Sequence, residues 1–254
     1  MPSVTLLEKL YANLSRKTAE SRIQASCEGL DVTIKVAEVT KRGWIRLDVS
    51  GEDEVAALSL LEKEFGIVPV YAKNVIEGDV YSGKIILSGR SSIEIYVDVG
   101  VFLPEYMEAT VTLQHLQAQL VDGKKLPLQR ITQLFCFLDN LPIRILIKRI
   151  DGKRNHFIAE LAEAQISLIS QWTGSNLERL IVVGVFSDTV ENAVKRIGHL
   201  RDIAEIERLG MLEHAVVCKL GTNAVGLIPK LGRLMPNAVF GVFSPKEISH
   251  AAKT

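Results

Sequence analysis

Between residues 79 and 161 the sequence carries five short stretches with the pattern of β-strands, and these constrain the fold more than any other feature. Glycine-containing breaks separate the stretches, which cover residues 79–87, 93–99, 109–113, 141–150 and 155–161. Five short strands with turns between them are typical of a small barrel. A helical pattern at residues 113–138 predicts an insert between the third and fourth strands.

The second strand separates its residues onto two faces, because successive residues of a strand point in opposite directions. The two sets are Ile93, Ile95, Val97 and Val99 on one side, and Glu94, Tyr96 and Asp98 on the other. We expect the aliphatic set to fill the barrel interior. Tyr96 is then expected on the outer wall.

The fourth strand alternates in the same way and adds positive charge. Its isoleucines share one face, and Arg144, Leu146 and Lys148 share the other. An aromatic ring with cations nearby suits single-stranded nucleic acid, because the ring stacks on bases and the cations meet phosphates. The alternative interpretation is a half-exposed tyrosine among solvated basic side chains that bind nothing.

The turn after the fourth strand extends this basic character. Between residues 141 and 156, Asp151 stands against five basic residues, which are Arg144, Lys148, Arg149, Lys153 and Arg154. This local excess of four positive charges can neutralise a few phosphates and give a salt-dependent affinity. Charged residues at strand ends are equally common on solvated edges, where they prevent aggregation. The whole chain gives no guidance, since 30 basic and 30 acidic residues leave zero net charge.

Residues 1–74 have the pattern of a small α/β domain. The leucines of residues 6–14 recur at helical spacing and predict a first helix. Residues 31–49 contain two alternating stretches around a Lys-Arg-Gly turn, which predicts a hairpin. A second helix is predicted to follow and to end at Gly66.

Residues 162–254 predict another mixed domain. A linking helix at residues 162–172 comes first, and strand and helix patterns then follow in the order β-α-β-β-α-β. This order is that of a ferredoxin-like split unit. The chain is therefore predicted to be α/β (α+β), with three domains at residues 1–74, 75–161 and 162–254.

A glycine-containing loop in the third domain has part of the pattern of a phosphate-binding loop. Leu227 and Ile228 stand where such a loop requires lysine and a hydroxyl residue, so nucleotide hydrolysis is not predicted. The loop is expected to lead into a helix whose free N–H groups could hold an anion. The candidate residues for this anion site are Gly221, Thr222, Gly226 and Lys230.

We predict no catalytic residues, no metal site and no cofactor. Cys27, Cys136 and Cys218 are scattered without metal-ligand spacing, and the histidines and carboxylates form no recognisable pair. The cysteine usage favours a reducing interior. No stretch has the length and apolarity of a signal peptide or a membrane span. We expect a soluble cytoplasmic protein that is not an enzyme and does not contact membranes.

Four stretches of the middle region resemble successive strands of an S1-type OB-fold. They are GDVYSGKII at 78–86, IYVDVG at 95–100, ATVTL at 109–113 and LPIRILIKRID at 141–151. The resemblance implies a central S1-like OB barrel and places Tyr96 at the aromatic position of an aromatic-Val pair. S1 domains usually bind single-stranded RNA, so the resemblance implies that Tyr96 stacks on a base.

Nearly the whole chain is similar to an archaeal protein family known as a domain of unknown function. The stretches DNLP at 139–142 and CKLGTNAVG at 218–226 carry part of this similarity. The similarity implies a three-part layout with the S1-like barrel in the centre, and it implies no activity.

The leading hypothesis is a non-catalytic RNA-binding factor associated with translation or transcription, with RNA or ribonucleoprotein as its partner. Tyr96 is expected to stack, and six side chains are expected to meet phosphate: Lys84, Arg144, Lys148, Arg149, Lys153 and Arg154. The second hypothesis is a protein–protein adaptor on the same machinery. The third is a small-molecule sensor, since β-α-β-β-α-β units can bind ligands at paired interfaces.

Overall fold

The computed structural model describes residues 2–11, 14–86 and 91–253. The chain forms two compact units. The first comprises Met1–Asn74 and Gly100–Glu105, and the second comprises Val75–Val99 and Tyr106–Thr254. Apart from residues 100–105, the central barrel belongs to the second unit, together with its helical insert and the C-terminal sheet.

The first unit contains a three-stranded antiparallel sheet and two helices. Its elements are β1 (Ser3–Lys9), α1 (Arg16–Ser26), β2 (Val32–Val39), β3 (Trp44–Gly51), α2 (Glu54–Phe65) and β4 (Val70–Tyr71), with a 3₁₀ turn at Ala72–Asn74. The sheet order is β1-β3-β2, and β4 pairs instead with residues 101–103. The α1 helix packs on β2, and α2 packs on β1 and β3. The predicted hairpin and the helix that ends at Gly66 are confirmed.

The helix predicted for residues 6–14 is wrong, because most of the described part of this segment belongs to strand β1. Thr5 pairs with Arg46 of β3, and the side chain of Leu6 is fully buried. Lys9 Nζ lies 4.5 Å from the centre of the Trp44 ring. Leucine spacing is a weak helix signal, and pairing with the middle strand of a sheet overrides it. Residues 12 and 13 lie outside the described residues.

The central region is a closed barrel of five strands. Its elements are β5 (Val80–Ile86), β6 (Glu94–Leu103), β7 (Met107–Thr112), α3 (Leu113–Leu120), α4 (Leu128–Leu134), β8 (Pro142–Asp151), β9 (His156–Leu161) and α5 (Glu163–Gly174). The neighbour order is β6-β5-β8-β9-β7, and pairing of β6 with β7 closes the barrel. The predicted barrel and the helical character of its insert are therefore confirmed. Residue 87 of the first predicted strand lies outside the described residues.

Aliphatic side chains fill the barrel, as the alternation predicts. Six of them, from β6 and β8, are buried: Ile95, Val97, Val99, Ile143, Ile145 and Ile147. Burying a side chain of this size stabilises the fold by about 1.5–3 kcal/mol. Ile93 is an exception, because it precedes β6 and is 64% exposed.

The C-terminal region forms a four-stranded antiparallel sheet. Its elements are β10 (Arg179–Val183), α6 (Ser187–Arg196), β11 (Ile203–Arg208), β12 (Glu213–Cys218), α7 (Ile228–Leu234), β13 (Val239–Phe243) and α8 (Pro245–Lys253), with 3₁₀ turns at Leu200–Asp202 and Ala224–Leu227. The sheet order is β11-β12-β10-β13. Up to β13 the strands and helices follow the predicted order.

Both faces of this C-terminal sheet are covered by protein. The α6 and α7 helices cover one face through a cluster of aliphatic side chains. On the other face, the Phe243 ring lies 5.3 Å from the Trp172 ring of α5, measured between centroids. Gly241 of β13 is in close contact with Cys136, which follows α4, and a Cβ atom at position 241 would overlap the Cys136 sulfur. The barrel insert therefore packs directly on the sheet, and this face is not open to a ligand.

Within the described ranges, no helix combines the length and the apolarity needed to cross a membrane.

Candidate nucleic-acid interface

Five of the six basic residues predicted to meet phosphate lie on the hairpin formed by β8 and β9. The two strands pair up to Asp151 and His156, and residues 152–155 form the turn. Asp151 Oδ1 accepts hydrogen bonds from the backbone N–H groups of Lys153, at 3.1 Å, and Arg154, at 3.2 Å. The one acidic residue of this segment therefore shapes the turn that presents two of the cations.

All five basic side chains of the hairpin are exposed to solvent. We call Arg144, Lys148, Arg149, Lys153 and Arg154 the hairpin cations. The register between β8 and β9 shifts between Ile147 and Arg149, as at a β-bulge. A bulge interrupts strict alternation, which accounts for the exposure of two successive residues, Lys148 and Arg149.

Acidic neighbours compensate only part of this charge. Lys148 Nζ lies 3.1 Å from Glu160 Oε1 on the adjacent strand. The other four hairpin cations make no ion pair with any residue that the structure describes. Glu77 Oε1 accepts a hydrogen bond of 2.7 Å from the backbone N–H group of Ile150, which places another carboxylate beside the hairpin. The hairpin surface therefore carries a net positive charge. This charge is smaller than the excess of four that the sequence of residues 141–156 indicates.

Lys84 is placed differently from the hairpin cations. Its side chain is 2% exposed, and Nζ lies 2.8 Å from Glu213 Oε2 of β12. Asp98 is the partner of Lys84 in the register of β5 and β6, and it is also buried. Lys84 therefore faces outward from the barrel into a contact with the C-terminal sheet, where phosphate has no access.

The Tyr96 ring lies on the outer wall and is half-buried. Its hydroxyl group donates a hydrogen bond of 2.7 Å to Glu94 Oε1 on the same face. Tyr96 pairs with Ile86 of β5, whereas Arg144 pairs with Ser82 of β5. Four residues along a strand correspond to roughly 13 Å, and two steps across a sheet to roughly 10 Å. The fold does not bring the ring and the hairpin cations together.

The predicted anion loop is largely occupied by acceptors from the protein. Asn223 Oδ1 accepts hydrogen bonds from Val225 N and Gly226 N, and Glu178 Oε2 accepts one from Ala224 N at 2.9 Å. These N–H groups, among them that of the predicted residue Gly226, are therefore not free, and an anion site at Gly221, Thr222, Gly226 and Lys230 stays a prediction.

The remaining residue of that loop site, Lys230, is engaged as well. Its Nζ atom lies 2.7 Å from His199 Nε2, and His199 Nδ1 in turn lies 2.5 Å from Asp202 Oδ2. The Glu178 carboxylate, which accepts the hydrogen bond from Ala224 N, also disfavours a bound anion at this loop.

Two cysteines and one histidine of the second unit are buried in surroundings that disfavour their charged forms. Burial raises the pKa of the Cys136 thiol to about 12 and that of Cys218 to about 11, so both stay protonated at neutral pH. Burial lowers the pKa of His214, whose Nε2 lies 3.0 Å from the Val185 carbonyl oxygen. Among the described residues, no group of three or more metal-ligating side chains could hold a metal ion.

The buried polar group formed by Lys84, Asp98 and Glu213 was missed by sequence reasoning. Strand alternation correctly places Lys84 and Asp98 on the outer wall, but it does not show which part of the wall another element covers. The one available signal in the sequence is that Glu213, the first residue of β12, is an acid next to an otherwise buried strand.

Three family models match successive parts of the chain. They are the DUF2110 N-terminal domain at residues 3–70, the DUF2110 central domain at residues 75–173 and the DUF2110 C-terminal domain at residues 177–243. A search of curated proteins found no match.

Two solved structures show distant similarity. A small protein of vaccinia virus (Wisconsin strain) has 16% identity and a TM-score of 0.23, with 35% of this chain and 89% of that chain covered. The intact alpha subunit of aIF2 from Pyrococcus abyssi has 6% identity and a TM-score of 0.24, with coverages of 66% and 96%. TM-scores this low do not establish a common fold.

Proposed function

The chain belongs to the DUF2110 family, and we propose that it is a non-catalytic factor that binds single-stranded RNA through the hairpin cations of its central barrel. In this proposal the barrel is an S1-like OB domain and the C-terminal sheet is a ferredoxin-like unit that supports it. The partner is RNA or ribonucleoprotein of the translation or transcription machinery.

The observation that carries the proposal is the exposure of five cations on one hairpin. Four of them make no ion pair within the described residues, so phosphate groups can reach them without breaking an existing contact. Arginine and lysine supply most phosphate contacts in nucleic-acid complexes, and such contacts are independent of base sequence. We therefore propose backbone recognition with little sequence preference.

Lys84 and Tyr96 are left out of the proposed contact surface. Lys84 is buried beside Glu213, and the Tyr96 ring lies far from the hairpin cations with its hydroxyl group on Glu94. A carboxylate beside the ring would repel a phosphate that follows a stacked base. Substitution of Tyr96 by alanine is accordingly expected to change RNA affinity little.

Filter binding of a fluorescent oligouridine across a potassium chloride series tests the proposal. Each phosphate contact of a single strand contributes about 0.7 to the slope of log affinity against log salt. Replacing both Lys153 and Arg154 by glutamine is expected to reduce the slope by about 1.4. The control is the Lys35→Gln, Lys63→Gln double variant, which removes two exposed lysines of the first unit. Equal slopes for the two double variants would contradict the proposal.

A second candidate is a protein–protein adaptor, and an apolar patch on the same barrel favours it. Val80 of β5 is 55% exposed and pairs with the half-buried Leu146 of β8, between Arg144 and Lys148. Exposed aliphatic residues rimmed by charge are common in protein interfaces. A pull-down from nuclease-treated lysate separates the candidates, because protein contacts survive nuclease and RNA bridges do not. Partners lost on Val80→Ser substitution after nuclease treatment would support the adaptor.

A further inference from the structure

A second cluster of basic side chains lines an open pocket of the second unit, away from the hairpin. The pocket has a volume of about 530 Å³, and the described residues that line it are Lys124, Lys125, Leu126, Arg130, His250 and Ala251. It lies where the loop between α3 and α4 meets α8. A volume of this order is typical of small-ligand sites. No motif or spacing in the sequence indicates a site at these residues.

The pocket is held together by a contact between the loop and α8. Lys124 is half-buried, and its Nζ atom donates a hydrogen bond of 3.4 Å to the Ala251 carbonyl oxygen. Asp122 and Gly123 before it have φ angles of 52° and 77°, which produce the turn that brings the loop back over α8. The basic side chains are therefore carried by a shaped loop and by two helices, rather than by one flat surface.

The charge of the lining is strongly positive. The lining contains three basic side chains, those of Lys124, Lys125 and Arg130, and the imidazole ring of His250. Glu247 Oε2 lies 3.8 Å from Arg130 Nη1, a long contact for an ion pair. Lys125 makes no ion pair with any part of the chain that the structure describes. Convergence of like charges in a concave site is unfavourable until an anion enters it.

We infer that this pocket binds a small ligand that carries two or more linked phosphate groups. Lysine and arginine recognise phosphate through charge-assisted hydrogen bonds, and several cations around one cavity suit several linked phosphates. The described lining contains no phenylalanine, tyrosine or tryptophan, so it offers no broad stacking surface for a base. The recognised part of the ligand is therefore the polyphosphate group itself. This site is independent of the proposed RNA contact.

Calorimetric titration of the full chain with pyrophosphate and tripolyphosphate, at constant ionic strength, tests the inference. We expect affinity to rise from orthophosphate through pyrophosphate to tripolyphosphate. The Lys125→Ala, Arg130→Ala double variant is expected to bind tripolyphosphate at least tenfold more weakly. Both side chains are exposed, so the fold should survive, and thermal unfolding checks this.

A variant that is expected to bind tripolyphosphate more tightly gives a more specific test than a variant that loses affinity. Glu247→Gln removes the carboxylate near Arg130, so it is expected to tighten tripolyphosphate binding severalfold, which damage to the fold would not do. Lys35→Gln with Lys63→Gln, which removes two exposed lysines of the first unit, is expected to leave the binding unchanged. Absence of tripolyphosphate binding, equal affinity in the Lys125, Arg130 variant, or a loss in this control variant as large as in the pocket variant would each overturn the inference.

Discussion

Two lysines of the barrel, Lys84 and Lys148, each form an ion pair with a glutamate, in opposite surroundings. Lys84 Nζ lies 2.8 Å from Glu213 Oε2, and the two side chains are 2% and 0% exposed. Lys148 Nζ lies 3.1 Å from Glu160 Oε1, and the two side chains are 50% and 23% exposed. Both lysines face outward from the barrel, so strand alternation alone does not distinguish them.

The difference comes from what covers each part of the wall. The turn between β11 and β12 covers Lys84, and the backbone N–H groups of Leu209 and Gly210 both donate to the Glu213 carbonyl oxygen, which fixes this turn. The β8–β9 hairpin that carries Lys148 remains exposed. An outward-facing cation of a barrel can thus anchor a neighbouring element or remain available to a ligand. The two roles predict very different losses in the free energy of unfolding when the lysine is replaced.

Replacing Lys84 by methionine is expected to produce the largest effect. Methionine keeps most of the side-chain volume but removes the ammonium group that lies 2.8 Å from the buried Glu213 carboxylate. Breaking a buried ion pair on one side typically lowers the free energy of unfolding by about 3–5 kcal/mol. Urea denaturation followed by circular dichroism measures this change.

Two companion variants show whether the charge itself is responsible. Lys84→Met with Glu213→Met replaces the ion pair by apolar groups and should recover part of the lost stability, since apolar replacement of a buried pair is often neutral. The recovery is expected to be incomplete, because the buried Asp98 carboxylate opposite Lys84 remains. Lys148→Met removes the exposed lysine and should cost less than about 1 kcal/mol. A Lys84→Met variant as stable as Lys148→Met would show that burial does not separate the two pairs.

Two glycines allow a second comparison between the buried Lys84–Glu213 contact and the exposed hairpin. A Cβ atom on Gly210 would overlap Glu213 Oε2 and lie 2.9 Å from Lys84 Nζ, whereas a Cβ atom on Gly152 of the hairpin turn would meet nothing within 4 Å. Gly210→Ala is therefore expected to lower the free energy of unfolding by about 1–3 kcal/mol, as overpacking does. Gly152→Ala should change it by less than about 0.5 kcal/mol.

Thermal and urea unfolding of the two alanine variants measure this difference. Neither glycine has a positive φ angle, so backbone strain does not contribute to the comparison. Equal stabilities would mean that the Lys84–Glu213 contact adjusts to the added methyl group without cost.

The alternation of apolar and polar residues predicted the barrel interior well, because this pattern depends only on residues that are close in the sequence. Ile95, Val97 and Val99 are two residues apart, and a period of two fixes their common face. The exposure of Arg144 and Lys148 follows from the same rule. The hairpin of the first unit was predictable for a similar reason, since its turn and both strands are contiguous in the sequence.

Pairing between distant segments was not predictable in this way. Glu213 is 129 residues from Lys84, and no periodicity connects the two positions. Residues 3–9 form a strand because β3 offers them an edge, and the leucine spacing carries no information about that edge. Tyr96 and Glu94 are close in the sequence, but their hydrogen bond was not predictable either. Two polar residues on one face of a strand are equally consistent with a ligand site and with a pair that bond to each other.

Substitutions in the exposed pair are expected to change stability only slightly, and two opposite changes there sharpen the comparison most. Lys148→Gln should cost less than about 1 kcal/mol and reduce the salt dependence of RNA affinity by about 0.7. Glu160→Gln should be equally mild in stability but should raise RNA affinity, because it releases Lys148 from a competing carboxylate. Filter binding at low salt measures both. A loss of affinity in both variants would mean that the hairpin needs the intact ion pair for its shape, and Lys148 would then resemble Lys84 after all.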